Sequence, residues 1–92
     1  MPARLVYQWN WIAPGATVGI YNHGWGDHEA ISWSAVVFAL PGDAYYPLGK
    51  VDVVRGPTSR HVDGTVAHEV WVTNKAPFNP CAVDMLALVD SY

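Results

Sequence analysis

The sequence has little charge, a single cysteine and no long apolar run. Charged residues make up 14% of the 92 residues, where about 25% is ordinary for a globular domain. Eight Asp and Glu residues outnumber five Lys and Arg residues, which gives a net charge of −3 at pH 7. Since nucleic-acid binding depends on clustered positive charge, we expect no nucleic-acid partner. No apolar run approaches the ~18 residues of a membrane-spanning helix, so no membrane span is expected.

The sequence has one cysteine and no recognisable targeting signal in the chain as given. Cys81 has no second cysteine to pair with, which excludes an intramolecular disulfide and a multi-cysteine metal site. It follows Pro80 in a proline-containing connection without a helix start that would activate its thiol, so we expect an idle thiol. The chain as given has no apolar segment of about 7–15 residues near its start, so no signal peptide is predicted. The compartment is left open.

Apolar residues, by contrast, are abundant. They make up 51% of the chain and include five tryptophans, which excludes intrinsic disorder. The length predicts a single domain over residues 1–92. Since each tryptophan buries roughly 150–250 Å², five are more than an interior of this size easily holds. We therefore predict a homo-oligomer whose interface includes Trp9, Trp11, Trp33 or Trp71.

The apolar residues alternate more often than they follow a helical period, and seven prolines and eight glycines leave few windows for a helix. This pattern predicts strands, since their runs are also rich in Val, Thr, Trp, Tyr and Ile. The predicted strands are Leu5–Ile12, Thr17–Asn22, Ala30–Leu40, Lys50–Arg55, Thr65–Asn74 and Ala82–Val89.

Six short strands without crossover helices predict an all-β fold, a compact antiparallel β-sandwich. A short helix over residues 82–92 is the alternative at the C-terminus, but Asp90 falls where its apolar stripe should continue. Alternation in the first strand predicts one shared face for Leu5, Tyr7, Trp9 and Trp11. Alternation in the fifth strand opposes Val66, Val70 and Val72 to Glu69, Trp71 and Thr73.

Four connections remain, and loops on a rigid scaffold often carry function. They are His23–Glu29, Asp43–Gly49, Gly56–Gly64 and Lys75–Cys81. The first is the most informative, because Gly24 and Gly26 allow close backbone approach around an aromatic ring. A sugar needs a flat apolar ring for its C–H face and planar polar groups for its hydroxyls. We therefore predict a ligand-binding site formed by Asn22, His23, Trp25, Asp27, His28 and Glu29.

In this prediction Trp25 is the stacking surface and Asp27 the polar anchor. We expect replacement of Trp25 by alanine to weaken binding and to leave the fold intact, because the residue is predicted to lie in a loop. The alternative is a connecting loop whose tryptophan folds back over the core.

The four histidines are possible metal ligands, but the sequence contains none of the spacings that are typical of metal-binding motifs. His23 and His28 with Asp27 or Glu29 could hold a divalent ion, and His61, Asp63 and His68 could add ligands if the two loops meet. We predict neither a metal site nor a cofactor, and we expect folding to need no metal.

These observations favour a non-catalytic binding module, lectin-like and specific for carbohydrate. The alternative is a homo-oligomeric assembly or interaction subunit with aromatic interfaces and no small ligand. An enzyme is not expected. Ser59, His61 and Asp63 are the residue types of a catalytic triad, but they lie in one loop without the nucleophile elbow that would hold a triad in its reactive geometry.

Overall fold

The computed structural model describes residues 3–42 and 47–92, and all of its regular structure is β. Residues 43–46, which belong to the predicted connection Asp43–Gly49, lie outside the described residues. The strands are β1 (Ala3–Ile12), β2 (Thr17–Trp25), β3 (Glu29–Ala39), β4 (Val51–Arg60), β5 (Val66–Asn74) and β6 (Cys81–Ser91). The predicted antiparallel all-β fold is confirmed, and the C-terminal segment is a strand rather than a helix.

The six strands form two antiparallel sheets of three strands each. The first sheet has the order β1-β6-β3 and the second has the order β2-β5-β4. Each edge strand therefore pairs with a central strand, β6 or β5, that has neighbours on both sides. No helix among the described residues is long and apolar enough to cross a membrane.

Alternation in the two central strands builds the core between the sheets. Val70 and Val72 of β5 pack against Val83 and Met85 of β6, and all four are fully buried. Ile12, the last residue of β1, is buried in the same cluster. Side chains at alternate positions point to opposite faces, so Trp71 between the two valines points outward, as the sequence predicted.

The predicted shared face of β1 holds for Tyr7 and Trp9, whose ring centroids are 4.9 Å apart, but is wrong for Leu5 and Trp11. The pairing of β1 with β6 has register shifts between Leu5 and Tyr7 and between Trp9 and Ile12. A bulge adds a residue to one strand and interrupts the alternation of its side chains. As a result Trp9 packs against the core while Leu5 is half exposed and Trp11 is 61% exposed.

Two predicted connections are shorter in the structure, because β2 continues to Trp25 and β4 continues to Arg60. Their pairing with β5 shifts register between Asn22 and Trp25 and between Arg55 and Thr58. The residues that suggested loops, Gly24 and Gly56-Pro57, lie in these irregularities. Gly24 has a φ of +101°, a backbone conformation that favours glycine. A bulge absorbs such residues without ending the strand.

Candidate functional site

The predicted site segment does not form one surface. Asn22, His23 and Trp25 belong to the end of β2, and only residues 26–28 connect to β3. Asn22 accepts a hydrogen bond of 2.6 Å at its Oδ1 from the Trp25 Nε1. The strand therefore ends in a local side-chain contact rather than in an open loop.

Trp25 is buried, with 3% of its surface exposed, and packs with Ile31 and Ala87 in a second core cluster. Its ring meets Trp33 edge-on at 6.2 Å between centroids. The guanidinium carbon of Arg4 lies 5.0 Å from its ring centroid. A sugar cannot stack on a face so enclosed, so the expectation of a loop tryptophan with a free ring disagrees with the structure.

A cavity of about 240 Å³ nevertheless opens beside this tryptophan, where the start of β1 meets the end of β2. Three of the predicted site residues line it: Asn22, His23 and Trp25. Arg4, Leu5, Val6 and Gly24 complete its lining.

The other three predicted residues make contacts of their own. The Asp27 carboxylate pairs with Arg60, with 2.6 Å between Oδ1 and Nη1, and this hydrogen bond holds the Asp27 pKa below its ordinary value. Glu29 accepts a hydrogen bond from the Gly26 backbone N–H at 2.6 Å. His28 meets the Tyr92 ring edge-on. The structure does not bring these three together with Trp25 around one cavity.

Two predicted loops do meet, however, at three residues. His23 on β2 lies beside His61 and Asp63, which stand in the turn between β4 and β5. The rings of His23 and His61 stack with centroids 3.8 Å apart, and His23 Nδ1 lies 3.3 Å from Asp63 Oδ2. We call these three residues the histidine cluster. His28 and His68 are not part of it.

Asp63 is held by Thr65, whose backbone N–H and hydroxyl both donate to Asp63 Oδ1, at 2.9 Å and 2.6 Å. These hydrogen bonds lower the pKa of Asp63. Thr65 Oγ1 also accepts the Gly24 backbone N–H at 2.9 Å, which ties the turn to β2. The acidic member of the cluster is thus fixed in place and ionised at neutral pH.

His68 lies in the interior, where it faces the first sheet. Its Nδ1 is 2.9 Å from Arg55 Nη2, and because a guanidinium only donates, Nδ1 is the acceptor. Burial, together with the positive charge of Arg55, lowers the pKa of His68. The Nε2 of His68 and the Nε1 of Trp33 are buried without a hydrogen-bond partner among the described residues. His68 is therefore a neutral structural residue.

The outer face of the second sheet carries a flat tryptophan. A Cβ built on Gly19 of β2 would lie 2.7 Å from Trp71 Nε1, and one built on Gly56 of β4 would lie 2.5 Å from its Cη2. The two ends of one indole thus cover two glycines on the two strands that flank β5. The ring lies flat across the sheet, and Trp71 remains 36% exposed.

Two exposed side chains adjoin this ring. Val54 pairs with Trp71 across the β4–β5 ladder, and Tyr21 stands one row further along β2, opposite Glu69. Tyr21 and Trp71 are diagonal neighbours, with roughly 7–8 Å between such Cα atoms. We call the surface formed by Trp71, Tyr21 and Val54 the Trp71 face.

Sequence reasoning placed Trp71 on the polar side of its strand but missed the surface it forms. The available signal was two glycines inside or beside predicted strands, since glycine in a strand often marks a close approach. Which aromatic ring covers those glycines depends on the pairing of three strands and could not be read from the order of residues.

Comparison with protein-family models, with curated proteins and with solved structures finds no match to this chain.

Proposed function

We propose that the protein is a non-catalytic, lectin-like carbohydrate-binding module that uses the Trp71 face for aromatic contact. One observation carries this proposal: the Trp71 indole lies across Gly19 and Gly56, and 36% of the residue's surface is still exposed. A ring held flat by the sheet below it is preorganised, so little conformational freedom is lost when a ligand stacks on it.

Polar groups for sugar hydroxyls stand next to this ring. Glu69 lies two residues before Trp71 on the same face of β5 and pairs with Tyr21 of β2, whose hydroxyl lies 2.9 Å from Nδ1 of His61. A carboxylate and a phenol can accept and donate hydrogen bonds to neighbouring hydroxyls while the indole covers the C–H face of the sugar.

Charge favours a neutral ring as the ligand. Nucleobases also stack on tryptophan, but they come with phosphates, and proteins that bind them supply a positively charged groove. This chain has a net charge of −3 and places Glu69 beside the ring. An uncharged sugar meets no repulsion there.

The predicted segment Asn22–Glu29 remains a competing location for the same function. Its cavity has Arg4, Asn22 and His23 as polar lining, whereas its tryptophan is buried. Asp27 lies apart from that lining, in an ion pair with Arg60. Substitutions at the two locations therefore separate the two versions of the proposal.

The test is a glycan array of the wild-type protein, followed by measurement of the affinity of three variants for the glycan that binds best. Trp71→Ala should weaken binding by about 1–3 kcal/mol, the range for removal of a stacking or anchoring aromatic residue. Trp11→Ala is the matched control, since Trp11 is an exposed tryptophan of the first sheet, and it should bind as wild type. Circular dichroism checks that each variant is folded.

Asp27→Asn tests the predicted segment. Loss of binding in Asp27→Asn, with Trp71→Ala unaffected, would move the site to the segment Asn22–Glu29. Binding of no glycan by the wild-type protein would refute carbohydrate recognition altogether.

A second candidate function, a homo-oligomeric assembly subunit, is favoured by the outer face of the first sheet. Leu5, Val36 and Phe38 are each about half exposed there. Leu5 pairs with Leu86 of β6, which extends the apolar surface into the centre of the sheet. The outer face of an antiparallel sheet that meets water is ordinarily polar. We propose a second copy of this chain as the occupant, because a two-fold interface uses one patch twice.

Light scattering at micromolar concentration tests this second candidate. The wild-type protein should scatter as a dimer or larger, and Phe38→Asp should shift it to a monomer of 10.1 kDa. Val62→Asp, a change at an exposed position in the turn that follows β4, is the control and should leave the mass unchanged. A monomeric wild-type protein would refute the proposal.

A further inference from the structure

We infer that His23, His61 and Asp63 form a binding site for a divalent transition-metal ion of the zinc type. This inference concerns another ligand and other ligating side chains than the carbohydrate proposal, and the two share only Tyr21, whose hydroxyl contacts His61. Each of the three residues offers one ligand atom, and these atoms lie within 4.8 Å of one another. Two imidazole nitrogens and one carboxylate oxygen are ligands that zinc accepts.

The fold brings these ligands together from separate elements. His23 stands on β2 next to Gly24, and His61 and Asp63 stand in the turn between β4 and β5. Hydrogen bonds close this turn: the His61 N–H donates to the Thr65 carbonyl at 2.8 Å, and the Gly64 N–H donates to the His61 carbonyl at 2.9 Å. Two of the three ligands therefore come from a closed turn.

Neighbouring groups orient each ligand. The Tyr21 hydroxyl lies 2.9 Å from Nδ1 of His61, which leaves Nε2 of that ring for a metal. Thr65 holds Oδ1 of Asp63 with two hydrogen bonds, and the other oxygen, Oδ2, faces Nδ1 of His23. Metal ligands in proteins are ordinarily fixed by such a second layer of hydrogen bonds.

Coordination requires a modest rearrangement of the side chains. Ligand atoms around a tetrahedral zinc are roughly 3.3 Å apart for bonds of about 2.0–2.1 Å, which is shorter than the 4.8 Å limit of the cluster. The two imidazole rings are almost parallel, at 12°, so one must tilt to direct its lone pair at a shared ion. The side chains of His23 and Asp63 are each 44% exposed, which leaves them room to turn.

Three protein ligands leave a fourth coordination position for water or for another ligand. Because His23 and Asp63 are exposed and His61 is partly exposed, the ion is exchangeable and is not needed for folding. The site therefore differs from a structural zinc site, where the metal supplies folding energy.

Isothermal titration of the full chain with ZnCl₂, after removal of any histidine affinity tag, tests this inference. We expect one Zn²⁺ ion per chain for the wild-type protein. His61→Ala and Asp63→Ala should each lower the affinity at least about tenfold, and Tyr21→Phe, which removes only the orienting hydroxyl, should lower it by about tenfold.

His28→Ala is the matched control, because His28 is an exposed histidine outside the cluster, and it should bind zinc as wild type. Circular dichroism of each variant confirms its fold, and His61→Gln replaces His61→Ala if the latter does not fold. The inference is overturned if the wild-type protein binds no Zn²⁺, if the cluster variants bind it as wild type, or if His28→Ala weakens binding as much as they do.

Discussion

Replacing Trp25 by alanine should destabilise the protein severely. The structure puts this residue in a core cluster, with 3% of its surface exposed, although the sequence suggested a loop. Removing roughly 150–250 Å² of buried aromatic surface at ~25 cal/mol per Å² corresponds to about 4–6 kcal/mol. Measured losses for Trp→Ala in packed cores are about 3–5 kcal/mol. We therefore expect a loss of about 4 kcal/mol in the free energy of unfolding.

Urea denaturation followed by far-ultraviolet circular dichroism measures this loss without relying on the fluorescence of the deleted ring. For a domain of this size the melting temperature should fall by about 15–30 °C. Trp11→Ala provides the control, since Trp11 is 61% exposed on β1 and its removal should change stability by less than about 0.5 kcal/mol.

A companion variant isolates the polar contact of the same ring. Asn22→Ala removes the acceptor of the Trp25 Nε1 hydrogen bond and leaves a buried donor unpaired, which should cost about 1–3 kcal/mol.

If Trp25→Ala costs less than about 1 kcal/mol, the indole is not packed between the sheets. That result would support a loop tryptophan with a free stacking face, as the sequence predicts.

Changes at Gly19, His68 and Asn74 should each alter the stability of the fold. Gly19→Val should destabilise the fold by about 1–3 kcal/mol, because the new side chain would enter the space of the Trp71 ring. In urea denaturation the double variant with Trp71→Ala should recover part of that loss, whereas two additive losses would contradict the packing. The fold lowers the pKa of His68 and so favours its neutral form. The free energy of unfolding should therefore fall as the pH drops below the ordinary pKa of 6.5, until the pH reaches the lower pKa of the folded state. The slope of this fall is at most about 1.4 kcal/mol per pH unit. Urea denaturation at pH 7.5 and 5.5 should show a flatter profile for His68→Gln, and an unchanged profile would count against this origin. Asn74→Ala should cost about 3 kcal/mol or more, because the fully buried amide donates to the carbonyls of Ile12 and Asn79 and accepts from the Ala76 N–H; a loss below 1 kcal/mol by the same assay would show that water replaces these bonds.

The candidate sites were predictable only in part. The sequence singled out Asn22, His23 and Trp25, and these three residues do line one cavity. It also noted that His23 could join His61 and Asp63 if two loops met, but spacing alone could not show that they meet. His23 and His61 are 38 positions apart in the chain, and the pairing of β2 and β4 with the same central strand closes that separation.

What the sequence determined by itself is the strand character of the chain and the inward faces of its central strands. Alternation of Val70 and Val72 with Trp71, and of Val83 and Met85 with Asp84, is a local property, because side chains of one strand point to opposite faces in turn. Burial of the four apolar residues in the core follows from that alternation.

Only the tertiary structure decided where the alternation fails and which distant residues meet. The bulges of β1 separate Leu5 from the buried face of Trp9, and the bulge at Gly24 carries β2 onward to bury Trp25. A bulge is set by the register of two paired strands, so no single strand contains its signal. Strand pairing in the second sheet also places Trp71 over two glycines and brings the histidine cluster together. The order of residues along the chain does not specify that pairing.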